Sequence, residues 1–275
     1  MRRWIFGILI FGLCFAFCVQ SVFAQEVGRE AQIKAAMPVW TGERNIWRFD
    51  PSFEYSWIKQ GSRKIRWKMS TERLTYVSKK DVMPFVEARQ YERAGLKDHV
   101  VDIGVDARFK DSYAHAELGF GGSDVDYVYK FKSFLEYARR LRGTLFFKIG
   151  QEFLHYSLNN VAIFSPGAVY YFGDSYVMWD YNASVNTHRD PAQWSTLRGS
   201  LRCAKNLDAW GGIAIGERLY DILPLESSKQ YSYIFFGGLT WHATEDVSVR
   251  LGGSYSQEKP SFIKRSLEAG VSIRF

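Results

Sequence analysis

Ile263-Lys-Arg-Ser-Leu-Glu-Ala-Gly-Val-Ser-Ile-Arg-Phe275 closes the chain and is its clearest two-faced stretch. Its odd positions are Ile263, Arg265, Leu267, Ala269, Val271, Ile273 and Phe275, and its even positions are Lys264, Ser266, Glu268, Gly270, Ser272 and Arg274. An apolar face opposite a polar one at a period of two is the pattern of a strand between two different media. A terminal phenylalanine on such a strand resembles the signal by which bacterial outer-membrane barrels are recognised for insertion. The barrel assembly machinery is therefore an expected partner through Phe275.

The same split recurs upstream. Val101, Ile103, Val105, Ala107 and Phe109 oppose Asp102, Asp106 and Arg108. Tyr127, Tyr129, Phe131, Leu135 and Tyr137 oppose Lys130, Lys132 and Glu136, while Val177, Trp179, Tyr181 and Val185 oppose Asp180, Asn182 and Ser184. A β-sandwich alternates too, but its strands average about 5 to 6 residues. These run to about 10 to 14, the length of a tilted bilayer crossing.

Counting from about Phe49 gives fourteen strands, with twelve or sixteen as the alternatives should one pair be merged or missed. The joints alternate in length. SKKDV, KDS, RLRG, GDS, KNLD and TED are short, whereas ERAGLKD, GGSDVD, NTHRDPAQ, DILPLESSKQ and SQEKPSF are longer. Short periplasmic turns and longer outer loops mark an outer-membrane barrel. The expected fold is thus an all-β, antiparallel, up-and-down transmembrane barrel with both termini periplasmic, in the outer membrane of a Gram-negative cell and in contact with its lipid.

A Lys or Arg on the lipid face near the midplane costs about 2 to 4 kcal/mol, so the charged face is assigned to the lumen. That list comprises Arg66, Lys68, Glu72, Glu87, Arg89, Asp102, Asp106, Arg108, Glu117, Lys130, Lys132, Glu136, Lys148, Glu152, Asp180, Arg198, Arg202, Arg218, Arg250, Lys264, Glu268 and Arg274. Such a mixture of signs suits either a lumen laced by ion pairs or a charge-lined channel.

The opening MRRWIFGILIFGLCFAFCVQSVFAQE has two arginines, an apolar run from Trp4 to Val19, and Val22 and Ala24 before a polar stretch. It reads as a secretory signal, residues 1–24, cut after Ala24. A short periplasmic segment, 25–47, and a barrel domain, 48–275, follow. Leu13 and Phe17 precede Cys14 and Cys18, which excludes a lipoprotein site; the mature chain then keeps only Cys203, so it has neither an internal disulfide nor a cysteine metal cluster. Removing Arg2 and Arg3 lowers the formal charge of +7 by two, and the remaining charges are interleaved, so nucleic acid is not an expected partner. No nucleotide loop, zinc signature or glycine-framed serine is present, and neither cofactor nor metal is expected. His115, beside Glu117, and His242 read as hydrogen-bonded lumen residues.

Phe153-Leu-His-Tyr-Ser-Leu-Asn-Asn160 holds the one candidate for catalysis. Leu145, Phe147, Ile149, Gln151 and Phe153 continue into His155 and Ser157, so both point outward at the outer rim. This resembles the His-x-Ser placement of lipid A deacylases and outer-membrane phospholipases. A nucleophilic serine also needs its histidine oriented by a third group. Asn159 and Asn160 read as turn formers, and the next carboxylate, Asp174, falls at the opposite end, so a non-enzymatic barrel is expected.

Spread along the chain are Phe53-Glu-Tyr-Ser-Trp57, Phe134-Leu-Glu-Tyr-Ala-Arg-Arg-Leu-Arg-Gly143, Val161-Ala-Ile-Phe-Ser-Pro-Gly-Ala-Val-Tyr-Tyr-Phe-Gly-Asp-Ser-Tyr-Val-Met-Trp179 and the closing strand. In their order and spacing, over about residues 48 to 275, they resemble the YaiO-type outer-membrane β-barrel family. The resemblance implies a non-enzymatic barrel that assists export or surface assembly of a polysaccharide or biofilm component, with polysaccharide or export partners. A porin-like solute channel is the alternative. Members of the family frequently carry helical repeats before the barrel, for which residues 25–47 are too short.

Overall fold

Strand pairing in a computed structural model follows the alternation almost throughout. The structure describes residues 45–275 except 79–80, 94, 123–127, 158, 188, 218–230 and 259–261. The expected signal and nearly all of the 25–47 segment lie outside the described residues.

Fourteen strands run in chain order: β1 (Ile46–Gln60), β2 (Arg63–Val77), β3 (Val82–Arg93), β4 (Leu96–Phe109), β5 (Ser112–Gly121), β6 (Phe131–Arg142), β7 (Leu145–His155), β8 (Asn160–Phe172), β9 (Ser175–Asn186), β10 (Arg189–Ala204), β11 (Leu207–Glu217), β12 (Tyr231–His242), β13 (Val247–Glu258) and β14 (Phe262–Arg274). Each pairs with its chain neighbours, and β1 closes on β14 antiparallel. The last closing bonds run from Trp47 N to Phe275 O and from Phe275 N to Trp47 O, both 2.9 Å. Closure satisfies every ladder and leaves no edge, which a bilayer requires of any sheet that crosses it.

The pleat then sorts the side chains. On β3, Met83, Phe85, Glu87, Arg89 and Tyr91 point inward and are buried, while Val82 and Val86 are exposed outside. The exterior carries Phe53, Trp57, Ile103, Phe120, Leu135, Phe164, Trp179, Leu197, Leu251 and Leu267, all exposed. Among the described residues no helix is long and apolar enough to cross a membrane.

Three expectations need correction. The joints at the end opposite the termini are not uniformly long: β3 and β4 are joined by residues 94–95 and β9 and β10 by 187–188. Pairing continues past the bilayer through polar residues, because ladder bonds do not depend on apolar side chains. Arg66, Lys68 and Glu72 face outward, since register sets them opposite Trp57, Tyr55 and Pro51 while Arg73 and Thr75 take the buried face of β2. Lys130 is exposed and precedes β6, whereas Tyr129 is buried. Tyr127 lies outside the described residues, and from Val128 on the alternation begins only at Phe131, because Val128–Lys130 fold back before that point. Arg218 lies outside the described residues.

Candidate functional site in the lumen

Inward positions of β2 to β7 form one chain of ion pairs. Arg73 reaches Asp106 at 3.2 Å and Glu87 at 3.6 Å, and Arg89 reaches Glu87 at 3.2 Å and also pairs with Asp102. His115 places Nδ1 2.6 Å from Asp106 and Nε2 3.4 Å from Glu117, with its ring stacked on Phe85. Lys132 bonds Glu117 at 2.8 Å and Glu152 at 3.3 Å. The chain resumes at Lys148, which bonds Glu136 at 2.7 Å and Asp180 at 2.9 Å, and Asp180 accepts from Arg198 at 2.8 Å. Arg73 and Arg89 are 1% exposed and Asp102 is 0%. Charges so far from water hold only in matched sets, because desolvation is otherwise prohibitive. This half of the lumen is filled.

At the end opposite the termini Val128 and Tyr129, just before β6, turn into the barrel. Gly121 N donates to Lys130 O at 3.1 Å and Lys130 N to His155 O at 2.7 Å. Tyr129 is thereby swung over the charges, donating to Asp102 Oδ1 at 2.6 Å and accepting from Arg89 at 2.7 Å. With Val128, Tyr91 and Val100 it forms a buried apolar cap.

The other half holds an apolar cluster beside fewer charges. Trp194, Trp210, Ala214, Ile234 and Phe236 pack together, and Arg250 lies over Trp210 at 3.9 Å while approaching Glu268 at 3.6 Å. Trp210 fits here because two glycines leave room: a Cβ would stand 2.5 Å from its ring at Gly238 and 2.7 Å at Gly252. Lys264 pairs with Glu54 at 3.3 Å beside the Trp67 ring. Near the termini, Asp208 pairs with Arg202 and lies 2.9 Å from His242 Nε2.

At the termini end the lumen opens into a cavity of about 360 Å³. Its walls include Tyr113, Glu136, Arg140, Phe146, Lys148, Tyr171, Tyr176 and Met178. Phe146 meets Tyr171 edge-on at 5.5 Å, and Tyr171 lies 6.1 Å from Tyr176. Tyr113 donates to Glu136 at 2.9 Å, and Arg140, paired with Asp111 at 3.1 Å, stands 5.4 Å from the Phe146 ring. The Glu136–Lys148–Asp180–Arg198 set bounds its inner side. Aromatic faces beside fixed charged donors and acceptors suit a ligand with an apolar face and a polar rim.

Of the residues assigned to the lumen by sequence, Lys132, Glu136, Lys148, Glu152, Asp180, Arg198, Arg202, Arg250, Lys264 and Glu268 point inward, and Lys130 does not. The alternation alone does not single out Tyr113, Phe146, Tyr171 and Tyr176. They lie on the polar face of their strands, and an aromatic at a polar-face position near a turn is the signal that marks them.

His155 and Ser157 are exposed at the far rim. The turn between β7 and β8 is tight, with Tyr156 N donating to Asn159 O at 2.9 Å, so Asn160 belongs to β8 and pairs with His155. Asn160 is thus a third polar group at the histidine, which corrects its reading as a turn former.

A closed fourteen-stranded antiparallel barrel with an apolar exterior and a charged interior is a transmembrane β-barrel of the outer-membrane type. No protein-family model and no curated protein matches the sequence. Among solved structures, the chain is similar to a bacterial polysaccharide outer membrane secretin, at 7% identity over 84% of this chain and 99% of that one, TM-score 0.55. It is similar also to the TodX monoaromatic hydrocarbon channel (deltaS2 mutant), at 10% identity over 87% and 92%, TM-score 0.55. The CymD monoaromatic hydrocarbon channel is similar at 9% identity over 88% and 92%, TM-score 0.50. At these identities the likeness is one of fold.

Proposed function

We propose that the chain is a non-enzymatic YaiO-type barrel that assists export or surface assembly of a polysaccharide. It works in the outer membrane of a Gram-negative cell, with both termini in the periplasm. The observation that carries this reading is the aromatic and charged cavity at the termini end. A sugar ring has an apolar C–H face that stacks on Tyr171 or Phe146 and a rim of hydroxyls that suits Arg140 and Glu136. In the proposed orientation the cavity faces the compartment from which an exported polymer arrives. The connection lengths support that orientation: at the termini end none is longer than 78–81 or 243–246, whereas the longest, between β5 and β6 and between β11 and β12, join strand ends at the other.

The filled lumen speaks against free diffusion. One barrel of this fold is a polysaccharide secretin and others are hydrocarbon channels, so the fold alone does not choose a cargo. Deleting the gene is expected to reduce surface polysaccharide and biofilm, and refolded protein in planar bilayers is expected to give small, infrequent conductance. Unchanged surface polysaccharide together with a steady large conductance would establish a porin instead.

A further inference from the structure

Four outward-facing cations gather in one sector of the rim opposite the termini: Arg265 on β14, Lys59 on β1, and Lys64 and Arg66 on β2, all exposed. Register places Arg265 and Arg66 on either side of Trp57 and sets Lys59 directly opposite Lys64. Directly opposed residues hold their Cβ atoms about 4.5–5.5 Å apart, where like charges destabilise the pair. Among the described residues Lys59, Lys64 and Arg66 make no ion pair, and Arg265 has a ring contact with Tyr255 at 5.9 Å. The nearby carboxylate on this face, Glu92, is already taken by Lys68 at 3.0 Å. β1 and β2 are joined here by residues 61–62 alone.

On the bilayer side of these cations lie Tyr55 and Phe53, and Trp57 stands level with Arg66 and Arg265. Interfacial aromatics mark the headgroup level, so the cations sit where lipid phosphates sit. A phosphate between Lys59 and Lys64 turns a repulsive pair into two charge-assisted contacts, and the guanidinium of Arg66 offers a planar fork to the same or a second phosphate.

We propose that this sector binds the phosphorylated glycolipid of the outer leaflet, with the lipid A phosphates on Lys59, Lys64 and Arg66 and its acyl chains along Trp57 and Phe53. The assignment to that leaflet rests on the orientation proposed above; it does not depend on the cargo.

Mature protein purified in detergent would be titrated with lipid A, with dephosphorylated lipid A and with phosphatidylglycerol, following tryptophan fluorescence and native mass spectra. The wild type is expected to prefer lipid A over both others. The Lys59→Gln/Lys64→Gln/Arg66→Gln variant is expected to lose at least tenfold in affinity for lipid A while keeping the heat-modifiable mobility of a folded barrel. Should the triple variant not fold, Lys64→Gln alone carries the test with a several-fold loss, since it removes a like-charge contact. Equal affinity of wild type and variant for lipid A, or equal binding of its dephosphorylated form, would overturn the proposal. A preference for phosphatidylglycerol would overturn it as well and give the sector to a glycerophospholipid. Protease access to a terminal tag on whole cells tests the orientation separately, and the polysaccharide phenotype tests the cargo.

Discussion

His155 donates from Nδ1 to Asn160 Oδ1 over 2.7 Å, across the first rung of the β7–β8 hairpin. The bond orients the imidazole as a general base would be oriented, on the outer face of the barrel. Ser157, however, lies in the turn, and its hydroxyl makes no hydrogen bond among the described residues. Activating a serine requires that bond, and an oriented histidine alone is a rim contact. Ser157→Ala is therefore expected to leave lipid A and phospholipid profiles unchanged by mass spectrometry. A wild-type deacylated or lyso species that disappears in the variant would reverse this.

Lys148 is the joint of the second ion-pair chain, because among the described residues it alone pairs with both Glu136 and Asp180. Replacing it by Met fills the same space and leaves two buried carboxylates short of a cation. Breaking a buried pair from one side costs about 3–5 kcal/mol. Lys148→Met should lower the denaturant midpoint of the barrel by a matching amount, and Lys148→Met/Asp180→Asn should recover part of it. The readout is the heat-modifiable band after urea titration in detergent.

Much of this interior was legible because hydrophobic contrast fixes register: where one face is apolar, as at Leu145, Phe147 and Ile149, a one-residue slip would put Lys148 into lipid. β2 lacks that contrast. Arg66, Lys68 and Glu72 alternate with Trp67, Thr71 and Arg73, both faces are polar in part, and charge alone pointed to the wrong one. Tyr129 reads outward for a related reason. The period of two continues through it in sequence, although the chain bends back there to satisfy Gly121 and Lys130. Asn160 reads as a turn former because asparagines near a turn are ordinarily explained by the turn, and its pairing with His155 shows only in the register. The cavity at the termini end depends on side chains from β5 to β9 converging in space, which no single strand's pattern shows.

Tyr129 bonds both Asp102 and Arg89, and so closes the lumen over its charges. Tyr129→Phe removes only the hydroxyl and should cost about 1–3 kcal/mol, the cost of leaving buried partners unsatisfied. Tyr129→Ala also removes the cap. Single-channel recordings should then show larger and more frequent openings than the wild type, while Tyr129→Phe changes stability more than conductance.

Trp210 rests on Gly238 and Gly252, where a Cβ would come within 2.5 and 2.7 Å of its ring. A branched side chain at Gly252 has no flexible neighbour to displace, since the ring is held between the sheet and Arg250. Overpacking of this kind costs about 1–3 kcal/mol or more. Gly252→Val should fold poorly, and Gly252→Val/Trp210→Leu should regain folded yield, as measured by heat-modifiable migration.

Phe275 is exposed, yet its amide and carbonyl exchange bonds with Trp47 to close the barrel. Those bonds are made by the backbone, so any residue at the position supplies them. A role for the aromatic ring itself in recognition by the assembly machinery therefore separates cleanly from a role in stability. Phe275→Ala is expected to refold in detergent with a denaturant midpoint close to that of the wild type, since a ring facing lipid adds little to closure. In cells the same variant is expected to reach the outer membrane in several-fold lower amount, measured by fractionation and heat-modifiable migration. Equal assembly in cells would remove the signal assigned to the ring, and a matching loss in detergent would assign it to the barrel's own stability.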